Sequence, residues 1–140
     1  MDVTELEDRL RAALERHPEV LVAYLFGSTA RGRPGPLSDV DVAVLLAEDG
    51  ERTGRRLDLL ADLATAAGTD EVDLVVLNEA PNELAFRVIR DGRVLLCRDE
   101  RARVRHRART ILEYLDLEPL RRALTEGLRR RLAEGAYGRR

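Results

Sequence analysis

Gly27-Ser28, then residues 29–38, then Asp39-Val40-Asp41 is the stretch that decides how this chain is read. The run before it, Val20-Leu21-Val22-Ala23-Tyr24-Leu25-Phe26, is almost continuously apolar, the pattern of a strand buried on both faces. Residues 30–37 hold Gly32, Pro34, Gly35 and Pro36, which predicts a loop. A second, valine-rich strand is expected from Asp39 to Leu46. Strand side chains alternate, so Asp39 and Asp41 project from one face while Val40, Val42 and Val44 project from the other. Further on, Asp73 interrupts the apolar run Val72-Asp73-Leu74-Val75-Val76-Leu77, a third strand spanning Glu71 to Leu77. A solitary charge in such a run is costly unless a cation balances it.

The rest of the chain is built around these strands. Leu6, Leu10, Ala13 and Leu14 recur at helical spacing within residues 3–16, with Thr4 and Glu7 placed as a capping box, and Pro18 closes that helix. Leu57, Leu60, Ala61, Leu63 and Ala64 mark a helix over residues 52–67 that Gly68 is suited to stop. Pro81 opens another helix through Ile89, Asp91-Gly92 makes a turn, and Arg93 to Cys97 is the fourth strand. Val104, Ala108, Ile111, Leu112 and Leu115 form a stripe expected to pack on the core. Pro119 then interrupts before a last helix bearing Leu120, Leu124, Leu128 and Leu132, and Gly135 to Arg140 is expected to fray. The fold class is therefore α+β: a small mixed sheet flanked by helices, residues 1–99 forming the core and residues 100–140 a C-terminal helical extension of the same domain.

At 140 residues the chain has room for one core. Its 44% hydrophobic and 36% charged residues describe a globular protein, not a disordered one. The net charge of −2 excludes a general DNA binder, and every basic side chain apart from the histidines is an arginine. The single Cys97 excludes a disulfide framework and a cysteine zinc cluster, and reads as a buried, inert thiol. No apolar run approaches a membrane span and the acidic N-terminus is no signal peptide, so the expected location is the cytoplasm.

If the two acid-bearing strands are neighbours, Asp39, Asp41 and Asp73 form a cluster whose mutual repulsion a divalent metal would relieve. Hard carboxylate oxygens favour Mg²⁺ or Mn²⁺, and two such ions can clamp the attacking and leaving oxygens of an in-line displacement. Gly27 lets backbone approach a phosphate closely, the amides after it and the Ser28 hydroxyl suit a nucleotide's phosphates, and Arg31 would neutralise their charge. Arg33 is a weaker candidate, and Ser38 reads as a cap of the turn. An Asp-x-Asp alone is usually a solvated strand end and a Gly-Ser alone a turn; their spacing, and the third acid, set this set apart.

The pattern resembles the minimal nucleotidyltransferases of the DNA polymerase β superfamily. It is most similar to the MNT-type antitoxins that partner HEPN-domain toxins. The resemblance covers residues 20–98 by motif. It implies that Asp39 and Asp41 bind both metals, that Asp73 holds one and helps deprotonate the acceptor hydroxyl, and that AMP passes from ATP to a tyrosine of a HEPN-type toxin. Three other readings stay open: transfer to a small molecule such as an aminoglycoside, a non-catalytic antitoxin acting by contact, and RNA binding through the arginines at 98–109. The last is weakened because none of the five Phe and Tyr residues interleaves those arginines.

Of the remaining polar residues, His17 is expected at the surface beside Pro18, and His106 solvated between Arg105 and Arg107. Tyr24 belongs to the buried first strand, Tyr114 reads as a packing residue at the stripe's edge, and Tyr137 lies in the frayed tail.

Overall fold

The computed structural model describes residues 1–27, 39–47 and 52–138. In chain order the elements are α1 (Val3–Glu15), β1 (Val20–Phe26), β2 (Val40–Leu46), α2 (Arg52–Ala67), β3 (Val72–Val76), α3 (Asn82–Asp91), β4 (Arg93–Cys97), α4 (Glu100–Asp116) and α5 (Glu118–Gly138). The sheet order is β3-β2-β1-β4, with β1 antiparallel to both β2 and β4 and β2 parallel to β3. A parallel pair needs a crossover, and α2 supplies it. The α+β class and the mixed sheet are as the patterning predicts.

Both central strands are buried on two sides, which is why their sequences are apolar runs rather than alternations. On one face Val40, Val42, Val44 and Leu46 pack with Leu10 and Leu14 of α1 and Leu59 and Leu63 of α2. On the other, Tyr24, Phe26, Ala43 and Leu45 pack with Ala85, Val88 and Ile89 of α3, and Ala102 and Ile111 of α4 lie against the same cluster. The sheet is thus the middle of three layers. Gly68, with φ of +73°, ends α2 in the left-handed conformation.

Three local expectations are corrected. The N-cap of α1 is Asp2, whose carboxylate accepts from the Glu5 amide at 2.8 Å; Thr4 lies inside the helix, and Glu7 turns inward to pair with Arg93 at 3.2 Å. His17 is not a surface residue, since its side chain is 12% exposed and lies between Glu19 at 3.3 Å and Asp62 at 2.5 Å. It thereby ties the end of α1 to α2. The tail is helical through Gly138 rather than frayed from Gly135.

The largest correction concerns α4. Its core-facing side carries Ala102, His106, Thr110 and Ile111, whereas Val104, Leu112 and Leu115 are each half or more exposed. His106, expected in solvent, is 6% exposed, and burial first and Arg109 second push its pKa down. An imidazole held neutral in this way behaves as a compact, weakly polar core side chain. The Thr110 carbonyl accepts from Asn82, joining α4 to the start of α3. Tyr114 does pack: its ring stacks on Phe86 with centroids 3.7 Å apart and planes 5° from parallel, and the Arg121 guanidinium lies 3.5 Å over its other face. That stack, together with the Arg121 bond to the Tyr114 carbonyl, holds the joint where Pro119 breaks the α4–α5 helix. Cys97 is half-buried rather than fully buried as expected, and burial first and its hydrogen bond to Glu100 second push its thiol pKa up.

Arg98 closes the sheet's edge. Its guanidinium donates to the carbonyls of Glu15 and Val20 at 2.8 Å and of His17 at 2.9 Å, the last also accepting from the Val20 amide at 3.1 Å, where α1 turns into β1. Replacing Arg98 by Ala removes three charge-assisted hydrogen bonds and should lower stability by about 2 kcal/mol in urea titration, and Lys, a point donor without the planar fork, should restore less than half. An Ala variant with an unchanged midpoint would show that water satisfies these carbonyls equally well.

Candidate active site

The acids meet because of register. In the parallel β2–β3 pair Asp41 lies directly opposite Asp73, and in the antiparallel β1–β2 pair it lies opposite Phe26, the last residue of β1. Asp41 shares its face with Ala43 and Leu45, so the acids point to the side of the sheet that α3 and α4 cover. Asp41 is partly buried, while Asp39 and Asp73 are exposed.

This crowding is visible in the charge state of Asp41. Its carboxyl is raised from the ordinary 3.8 to about 6, first by burial, then by the charges of Asp73 and Asp39, and then by a hydrogen bond with Asp73. Two carboxyl groups that share a hydrogen bond share a proton, so the pair resists carrying two negative charges. Among the described residues no three acidic, histidine or cysteine side chains close around one point as a finished metal site would require. What the fold brings together is the Asp41–Asp73 pair, with Asp39 near enough to act on it. The donor set is all hard carboxylate oxygen, the chemistry that suits Mg²⁺ or Mn²⁺.

Gly27 is the third component. It sits at the end of β1 with φ of +82°, and a Cβ placed on it would meet the Asp41 Oδ2 at 2.2 Å and its Cγ at 3.2 Å. The glycine is therefore required by Asp41 itself, a constraint that sequence reading, which assigned it to phosphate approach, did not contain. The other predicted members of the cradle, Ser28 and Arg31, lie outside the described residues, as do Arg33 and Ser38.

Sequence reasoning missed the device that keeps the acids in register. Asn78, just beyond β3, accepts from the Leu46 amide and donates to the Leu46 carbonyl, both at 2.8 Å. With the Leu77 amide bonded to the Val44 carbonyl at 2.8 Å, it clamps β2 and β3 at the end remote from the acids. An asparagine after an apolar run ordinarily signals a turn, and nothing in the string distinguishes this one.

Residues 8–101 match the family model described as Polymerase beta, Nucleotidyltransferase. The chain is 32% identical over 120 residues to the protein adenylyltransferase MntA of Shewanella oneidensis, spanning 86% of this chain and 84% of that protein. A chain in a crystal structure of a toxin–antitoxin with AMP-PNP superposes with a TM-score of 0.75 at 31% identity, over 87% of this chain and 97% of that one. A chain of tri-AMPylated Shewanella oneidensis HEPN toxin in complex with MNT antitoxin matches with a TM-score of 0.71 at 28% identity, over 90% and 98%. No helix among the described residues is long and apolar enough to cross a membrane.

Two outcomes are expected. Gly27→Ala forces a side chain onto Asp41 in a strained backbone and should cost about 1–3 kcal/mol in denaturant titration. An unchanged midpoint would mean that the strand end relaxes freely. For Asp41 the sign follows from its raised pKa. Between the unfolded value near 3.8 and the folded value of about 6 the folded chain binds more protons, so stability falls as pH rises through that window and the penalty is complete above it. The full shift corresponds to about 3 kcal/mol, which screening at this partly exposed site reduces to about 1 kcal/mol. In chelator-containing buffer, Asp41→Asn should therefore be the more stable protein at pH 7.5, with the advantage gone near pH 4. An advantage equal at both pH values would assign the effect to packing instead of charge.

Proposed function

Because the chain belongs to the polymerase β nucleotidyltransferase family, we propose that it transfers AMP from ATP to a tyrosine hydroxyl of a HEPN-type toxin and so acts as its antitoxin. The observation that carries this is the Asp41–Asp73 pairing across a parallel register beside Gly27, with Asp39 at the head of the same strand. These are the parts of a nucleotidyl-transfer site, and the relatives named above are a protein adenylyltransferase and antitoxins seen with an ATP analogue and with an AMPylated toxin.

In the proposed reaction the acceptor oxygen attacks the α-phosphorus of ATP in line, the bond from that phosphorus to the bridging oxygen breaks, and pyrophosphate leaves. Asp39, Asp41 and Asp73 would hold divalent ions that neutralise charge on the pentacoordinate phosphorus and the leaving oxygen. Asp73 takes the proton of the tyrosine hydroxyl, and its position at the exposed edge strand β3 leaves it open to an acceptor brought from outside. Ser28 and Arg31 are assigned to the triphosphate on sequence grounds. Gly27 keeps Asp41 where the register puts it.

The likeness to a protein adenylyltransferase and to a complex holding an AMPylated toxin supports an acceptor delivered as a partner protein. Coexpression with a HEPN-type toxin should give, by intact mass, additions of one or more AMP units on the partner. These should disappear when Asp39 and Asp41 are both changed to Asn, with loss of turnover by several orders of magnitude. An unmodified partner held inactive equally well by the double Asn variant would leave an antitoxin acting by contact alone. AMP found on an aminoglycoside but never on the partner would leave the small-molecule reading.

A further inference from the structure

The helix α5 extends from the rest of the molecule. Its 21 residues give a rod roughly 30 Å long, and of the other elements it packs appreciably only on the α4 end that leads into it. Leu120, Leu124, Leu128 and Leu132 are 56%, 59%, 52% and 66% exposed. Four-residue spacing advances each by about 40° around the axis, so they form one stripe winding slowly along the helix. On α4 the exposed Val104, Leu112 and Leu115 lie on the side opposite the buried His106 and Thr110. Scattered exposed leucines are ordinary, but two consecutive helices that both present a row of large apolar residues to solvent are not. A helix of this length carrying Gly127 and little tertiary packing is also marginal by itself.

Charge identifies what covers these stripes. Residues 100–140 carry twelve arginines against six acids, a surplus of six positive charges, whereas residues 1–99 carry twelve arginines against twenty acids. The nearly neutral whole conceals a basic tail on an acidic core. A second copy of the chain laid along α5 would set arginines such as Arg129, Arg130 and Arg131 against their own counterparts, which like-charge repulsion opposes. Nucleic acid would satisfy the arginines but leave the leucines wet, since it offers them no apolar groove and the α5 sequence carries a single aromatic residue, Tyr137, rather than a row of stacking rings. A protein presenting an acidic, amphipathic helical surface satisfies both.

We infer that α4 and α5 form the docking arm for the acceptor protein, their leucine stripes seated against an acid-flanked apolar helical face of that partner. This rests on the function proposed above and assigns it a surface. The arm is well placed for that task. α4 covers the same sheet face from which Asp41 projects, and the Phe86–Tyr114–Arg121 stack fixes the direction in which α5 leaves. A partner held on the arm is therefore held on the side of the acids.

The test uses the full chain and a HEPN-type toxin that it is found to modify or bind. Leu124→Asp with Leu128→Asp changes exposed side chains only, and Arg129→Glu, Arg130→Glu and Arg131→Glu reverse the charge without touching the stripe. Both variants should keep the wild-type circular dichroism and the ATP-dependent rise in melting temperature. The leucine variant should lose coelution with the partner and at least fifty-fold in the rate of AMP addition at limiting partner concentration. The arginine variant should bind more weakly and lose the salt dependence of the wild-type complex. If the wild type neither binds nor modifies any HEPN-type toxin, the proposed function fails and this inference with it. If the wild type modifies the partner and the leucine variant does so equally well, the function stands and the docking arm is overturned. A free chain that is dimeric by light scattering and becomes monomeric in the leucine variant assigns the stripe to a second copy and overturns it too. So does a single-stranded RNA oligonucleotide that binds the wild type at physiological salt and displaces the partner.

Discussion

Asp41 opposite Asp73 is an arrangement that electrostatics disfavours, and much of the remaining architecture is what keeps it in place. Two carboxylates on adjacent strands repel, and burial of one sharpens the penalty, as the raised pKa of Asp41 records. A sheet free to slip could relieve the strain by moving β3 along β2, and several features oppose this. The parallel pair is covered by helices on both faces, so a one-residue slip would turn Val72 and Val76 out of the α2 side of the core. At the far end Asn78 grips both backbone groups of Leu46. At the near end Gly27 leaves just enough room for the Asp41 carboxylate.

Much of this was legible in the string. The strands read correctly because two-sided burial writes itself as unbroken apolar runs, the helices α1 and α2 because their leucines and alanines recur at helical spacing, and α3 because Pro81 marks its start. The acids stood out for a related reason: a charge inside such a run has no cheap structural account, and spacing and parity placed Asp39 and Asp41 on one face. What parity cannot show is which strand lies beside which. The pairing of Asp41 with Asp73 depends on a parallel crossover, a long-range fact with no local signature. Gly27 was singled out, yet its contact with Asp41 belongs to the same class of fact.

The largest misreading has a plain cause. Periodicity finds an apolar stripe but not the direction it faces, and on α4 it was assigned to the core by default. The core takes instead His106, held neutral by burial, and Thr110, whose backbone carbonyl accepts from Asn82; neither carries a charge into the layer. The arginines show the same limit from the other side. Arg98 donates to three backbone carbonyls in the fold, Arg121 lies on an aromatic ring at a helix joint, and Arg103 pairs with Glu100 a turn away. In a chain whose fixed cations are all arginines, residue type says nothing about which of these tasks a given residue performs.

The separation of charge along the chain bears on the chemistry as well as on docking. A core with a surplus of eight acids is a poor receptor for a triphosphate, which carries several negative charges of its own. On the proposed reading the nucleotide is admitted because the cluster that most repels it is also the one that gathers cations. Divalent ions at Asp39, Asp41 and Asp73 would turn a local excess of negative charge into the positive field that phosphoryl oxygens seek. The same acids would then explain both the instability of the bare site and its capacity for transfer, and the basic arm would be free for a macromolecular acceptor because the small substrate does not depend on it.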